Sequence, residues 1–178
     1  GQLSLRNKVE WCVSNVTSVS SVFAQDLDND GKAEIVTGGY AYPLTNSSGQ
    51  LRVWQFEGGN FSLKANEEWR LVEGVYALTI AGGVQGNTVV NNVKAGDVDG
   101  DGQTEIVTGG FAYDGENVNA QLRIWRWIGG SLLLVKSVEW ATDYLTEVKC
   151  VALGDVDGDS KLEIVTSGLA GAKGSFAN

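Results

Sequence analysis

Apolar and polar positions along the chain group into short stretches and nowhere settle into a sustained helical period. SSVFAQ (20–25), EIVTGG (34–39), LRVWQF (51–56) and FSLKANEEW (61–69) are rich in β-branched and aromatic residues and are separated by Gly, Asn and Asp clusters. That pattern predicts strands joined by turns.

The pattern also repeats. DLDNDGKAEIVTGG at 26–39 returns as DVDGDGQTEIVTGG at 97–110 and as DVDGDSKLEIVTSG at 155–168. A second unit, GQLSLRNKVEW at 1–11, aligns without a gap with GNFSLKANEEW at 59–69 and GSLLLVKSVEW at 130–140, each ending in Glu-Trp. A third, GQLRVWQF at 49–56, is matched by AQLRIWRW at 120–127. From Trp11 to Asp26 and from Trp140 to Asp155 the spacing is 15 positions, whereas from Trp69 to Asp97 it is 28, so the second unit carries an insertion of 13. The period is therefore 58 or 71 residues. Four strands per period, joined by tight turns, predict an all-β fold of β-propeller-type blades, each of four antiparallel strands. A β-sandwich or a stacked β-solenoid would share these turns.

The acidic loop has a chemistry set by its spacing. Asp26, Asp28 and Asp30 stand at positions 1, 3 and 5, Gly31 at 6, Lys32 at 7 and Glu34 at 9, so alternate carboxylates on a tight turn can converge on one point. Ca²⁺ takes roughly six to eight hard oxygens at about 2.3–2.6 Å, and a backbone carbonyl at position 7 can supply one; Mg²⁺ suits this set less well. The second loop offers Asp97, Asp99, Asp101, the Gln103 carbonyl and Glu105, and the third offers Asp155, Asp157, Asp159, the Lys161 carbonyl and Glu163. An EF-hand is a poor match, because its bidentate Glu belongs at position 12, where this chain has Thr37, Thr108 and Thr166. Solvated Asx-rich turns are the plain alternative, but four like charges in nine residues, three times over, repel one another without a cation.

Composition sharpens this picture. Of 178 residues, 22 are acidic and 13 basic, a net charge of −9 that repels phosphate backbones and argues against nucleic acid as a partner. The four carboxylates of three loops make up 12 of those 22. With 43% apolar residues the chain can build a core. No stretch reaches the roughly 18 consecutive apolar residues of a membrane helix, so no membrane insertion is expected. The chain starts at Gly1 and holds no Met, which reads as a processed or excised segment.

The motif D-x-D-x-D-G-x-x-E followed by IVTGG resembles the FG-GAP repeat of integrin-α-type propellers, and the resemblance covers nearly the whole chain. It implies a Ca²⁺ loop joining the first two strands of a blade, with the acidic positions above as ligands and about three structural Ca²⁺ ions. Three such ions would bring the charge from −9 to −3. Two departures stand out: IVTGGYAYP and IVTGGFAY occupy the place of a frequent Gly-Ala-Pro, and Ser160 replaces the glycine that relieves a left-handed turn in the other two loops.

The division expected is a single domain over 1–178: a closing strand at 1–11, a first blade at 12–69, a second with its insertion at 70–140, and an incomplete third at 141–178. About three blades fall below the roughly four that close a ring. A permuted N-terminal strand can instead complete a blade of a neighbouring copy, giving a six-bladed ring of two copies or an open filament. A fragment of a longer propeller is the other reading. Cys12 and Cys150 fall on blades that would adjoin across such a junction and can form an intermolecular disulfide or serve as buried thiols.

Three N-glycosylation triplets, at Asn15, Asn46 and Asn60, together with the loops, favour an extracellular or cell-surface location. The six Trp residues recur at fixed blade positions, which suits packing between blades; a carbohydrate- or matrix-binding module would instead expose some of them, such as Trp127. The apolar, Gly-rich insertion within 70–92 can cover an interface or shape a ligand site. There is no His, no Gly-x-Ser-x-Gly elbow and no phosphate-cradling loop, so catalysis is not expected.

Overall fold

The computed structural model describes residues 4–13, 16–42, 47–70, 88–114 and 116–172. Among the described residues all regular structure is strand. β1 (Val16–Gln25), β2 (Glu34–Tyr42), β3 (Ser48–Glu57) and β4 (Asn60–Trp69) form an antiparallel sheet in chain order. β5 (Thr88–Gly96), β6 (Glu105–Tyr113), β7 (Val118–Ile128) and β8 (Ser131–Trp140) form a second meander, and β9 (Leu145–Gly154) pairs with β10 (Glu163–Gly171). One parallel pair, Val118 with Leu145, ties that last hairpin to β7 and makes the second sheet six-stranded.

The turns explain the register. β3 and β4 are joined by Gly58 and Gly59, at φ 59° and 83°, and β7 and β8 by Gly129 and Gly130, at 58° and 83°. Two consecutive left-handed residues make the hairpin turn whose twist suits the flanking strands, and glycine adopts it without strain. Each first strand also carries a bulge: the register shifts between Val19 and Ser21, between Val90 and Asn92, and at the matching point of β9 opposite Ser167 and Gly168.

The core lies between repeats rather than within one sheet. Val36, Leu51 and Val53 of the first sheet bury against Val90, Val93, Ile106 and Trp125 of the second, while Val107 and Ala120 bury against Val148 and Val151 of β9. Alternation along the strands supplies one apolar face to each neighbour.

Three sequence expectations can be placed here. Among the described residues the two sheets are open and form no ring, as about three blades in one chain led one to expect. Residues 4–13 carry no strand pairing; they lie on the first sheet through Trp11, whose ring sits 4.8 Å from that of Trp54 with Arg52 over it at 5.6 Å, and through an Asn7 amide that donates to the Gly59 carbonyl. A strand needs a partner edge, and among the described residues no strand edge pairs with residues 4–13. Of the insertion expected within 70–92, residues 88–92 begin β5 and 71–87 lie outside the described residues.

Candidate metal loops

Each acidic loop joins the first and second strands of its repeat, and its first aspartate organises it. Asp26 accepts the Asp30 N–H at 3.2 Å on one oxygen and the Gly31 N–H at 2.9 Å on the other. Asp97 accepts from Gly100, Asp101 and Gly102, and Asp155 from Gly158, Asp159 and Ser160. The carboxylates at position 5, Asp30, Asp101 and Asp159, accept the backbone N–H of Lys32, Gln103 and Lys161. The position-9 glutamates close the loop from the other side: Glu34, Glu105 and Glu163 accept the N–H of Leu27, Val98 and Val156.

This folding brings oxygens together. One oxygen each from Asp26, Asp28 and Glu34, from Asp97, Asp99 and Asp101, and from Asp155, Asp157 and Glu163 lie within 4.8 Å of one another. Two oxygens bound to one Ca²⁺ at about 2.6 Å can be at most about 5.2 Å apart, so each group fits the ion. Asp30 and Asp159 fall outside these groups, near the ammonium groups of Lys32 at 3.7 Å and Lys161 at 3.3 Å.

The second loop differs because of a residue that loop spacing did not single out. Arg126 is the cross-strand partner of Glu105, and its guanidinium donates to Glu105 at 2.9 Å while lying 3.0 Å from both Asp99 and Asp101. Hydrogen bonding to Glu105 raises the guanidinium pKa above its ordinary value. Glu105 accordingly stays out of the oxygen group that its counterparts Glu34 and Glu163 join. In the first loop the same place is held by Gln55, whose amide donates to the buried Glu34 at 3.0 Å. Glu34 thus has two neutral donors, and no salt bridge reaches it among the described residues. A buried carboxylate without a cationic partner is costly, and a metal ion relieves it. The signal for this difference was in the third strand of each repeat, Gln55 against Arg126, not in the loop.

Each loop also needs two left-handed residues: Asn29 and Gly31, Gly100 and Gly102, Gly158 and Ser160. Ser160 holds φ at 71°, where a side chain crowds the following carbonyl. Ser160→Gly is therefore expected to stabilise the chain by about 0.5–1 kcal/mol, strain relief being partly offset by a freer unfolded chain. Asn29→Gly should gain less, since Asn tolerates this region. Urea unfolding midpoints of both variants decide the matter; equal gains would remove Ser160 as a point of strain.

The remaining predicted residues fall elsewhere. Asn60 is exposed at the start of β4, while Asn15 and Asn46 lie outside the described residues. Cys12 and Cys150 are exposed thiols that do not bond to each other within the chain. Trp54 and Trp125 are buried, each donating its indole N–H to a threonine of the neighbouring strand, Thr37 or Thr108, at 3.1 Å. Trp69 packs at a tilt against Trp125 at 4.9 Å beneath Arg123. Trp127 is partly buried against the core between the two sheets, its indole nitrogen covered. It is no exposed stacking platform, because its strand faces the neighbouring sheet.

Comparison with curated proteins gives no match. The family model described as an FG-GAP-like repeat matches residues 26–108 and 97–166, each match running from the first aspartate of one acidic loop into the second strand of the next repeat. Together these matches take in all three loops and, in whole or part, nine of the ten described strands, all but β1, and the chain belongs to the FG-GAP-like repeat family.

Proposed function

We propose that the chain is a Ca²⁺-stabilised structural and interaction module of the cell exterior or surface, built of propeller-type blades, which assembles head-to-tail with copies of itself. The family supports an adhesion-type β module that works by contact rather than catalysis. The metal reading is supported by the three oxygen groups. Bound there, Ca²⁺ would neutralise the converging carboxylates; Asp26, Asp28 and Glu34 would hold it in the first loop and Asp155, Asp157 and Glu163 in the third.

One observation carries the assembly reading. Trp11 packs at a tilt against Trp54 under Arg52 as Trp69, the last residue of β4, packs at a similar tilt against Trp125 under Arg123. Residues 4–13 thus stand to the first sheet as β4 stands to the second. That is the place of an outer strand from a preceding repeat, and it leaves the segment available to a neighbouring copy. Exposed apolar residues on β1 (Val16, Val19, Val22) and β10 (Val165, Leu169) fit flanks that another copy covers.

Light scattering after size exclusion, with Ca²⁺ present, tests this. The intact chain is expected to run as a dimer or an open series, and removal of residues 1–13 to shift it to monomer. A folded monomer in both cases would end the self-assembly reading and favour a glycan- or matrix-binding piece of a larger propeller.

A further inference from the structure

Two glycines stand side by side in the second strand of each repeat, and they serve different neighbours. At Gly39, Gly110 and Gly168 a Cβ would lie 1.9, 1.9 and 1.8 Å from the carbonyl oxygens of Ser18, Val89 and Glu147, at the bulge of the repeat's own first strand. This glycine is needed by the repeat itself, and all three repeats keep it. At Gly38 a Cβ would meet the methyls of Val93 and Val90 at 2.5 and 2.8 Å, and at Gly109 those of Val151 and Val148 at 2.5 and 2.7 Å. This glycine is needed by the next repeat. The third repeat has Ser167 in its place.

The residue opposite changes as well. Gly38 pairs with Ser21 and Gly109 with Asn92, and each of these side chains accepts a backbone N–H from the following repeat: Val93 onto Ser21 Oγ and Val151 onto Asn92 Oδ1, both at 3.1 Å. Ser167 pairs with Cys150, whose sulfur is a weak acceptor. So the third repeat has lost both devices that seat a neighbour while keeping the one that shapes its own sheet.

The first strand of the chain, meanwhile, is a complete insert. Val19 and Val22 hold the places of the Val90/Val93 and Val148/Val151 pairs, yet they are 47% and 65% exposed where Val90 and Val93 are 2% and 1% exposed. We infer that the β10 face of one copy receives Val19 and Val22 of a second copy, and that Ser167 with Cys150 holds this junction apart, making it the weak and reversible joint of the assembly. The inference rests on the head-to-tail reading above and adds which residues set its strength. At the internal junctions a Cβ on the glycine would come within 2.5 Å of a valine methyl, which leaves no room for a Cβ and a hydroxyl, so the two faces meet at wider spacing than the internal junctions.

The test compares the intact chain with Cys150→Asn/Ser167→Gly, which restores the pairing of the second repeat, by sedimentation across a concentration series with Ca²⁺ present. The double variant is expected to associate at least about tenfold more tightly, and Val22→Asp added to it to abolish the gain. A variant no tighter than the intact chain overturns the inference. If the intact chain is monomeric and the variant associates through Val22, Ser167 and Cys150 do hold the contact apart, but natural self-assembly falls and the joint inferred here falls with it. If the intact chain associates and the variant is no tighter, self-assembly stands and the inference falls. If neither associates, both fall, and the β10 face belongs to a different partner, such as a further repeat.

Discussion

Replacing Gly110 by alanine is expected to be among the most damaging single methyl additions at the described glycines, with a cost on the order of 4 kcal/mol or more. The new Cβ would lie 1.9 Å from the carbonyl oxygen of Val89, 2.9 Å from its carbon and 3.1 Å from the Val90 Cα. All three are backbone atoms, so no rotamer change relieves the contact. The strands would have to separate at the bulge that sets the register of β5 against β6. Gly109→Ala, one residue earlier, meets only valine methyls, and should cost about 1–3 kcal/mol. Gly100→Ala meets nothing within 4 Å and should cost about 1 kcal/mol through its φ of 78° alone. Urea midpoints of the three variants give the order directly. A Gly110→Ala variant as stable as Gly100→Ala would mean that the bulge does not close as described.

The series also shows which parts of the fold the sequence makes legible. The strands were readable because β-branched residues and turn residues alternate cleanly, and SSVFAQ, EIVTGG, LRVWQF and FSLKANEEW all fall within β1 to β4. The loops were readable because carboxylate spacing at 1, 3, 5 and 9 has few other uses. The two roles of the Gly-Gly pair were not, since the reason for each glycine lies on a strand distant in sequence: Val89 in one case, Val148 and Val151 in the other. What flanks the open sheets was equally hidden, because the same alternation suits a ring, a stack and a pair of flanks awaiting a partner. The third repeat was visible in the sequence, but its changed interface at Cys150 and Ser167 became meaningful only once Gly38 and Gly109 had been placed against their valines.

Removing calcium is expected to have the largest effect of any change of conditions. Two loops each saturated about 100-fold above their dissociation constants would together contribute about 5 kcal/mol, and an excess of chelator should lower the urea midpoint by the corresponding amount. The loops should not respond alike. In the first, Glu34 is buried with only Leu27 N–H and the Gln55 amide as donors among the described residues, so a bound ion would supply the positive charge it lacks. In the second, Arg126 already lies among Asp99, Asp101 and Glu105, and occupies part of the carboxylates' capacity. Arg126→Gln, which copies Gln55, is therefore expected to weaken the chain in chelator yet to restore it when Ca²⁺ is added, widening the gap between the two conditions. Glu34→Gln should do the reverse, narrowing the gap by removing a ligand while relieving the buried charge. Calorimetric calcium titration adds an independent readout, with tighter or additional binding in Arg126→Gln than in the intact chain. If Arg126→Gln loses the same stability with and without Ca²⁺ and its titration is unchanged, the guanidinium is simply a strand-to-loop brace, and the second loop takes its ion as the other two do.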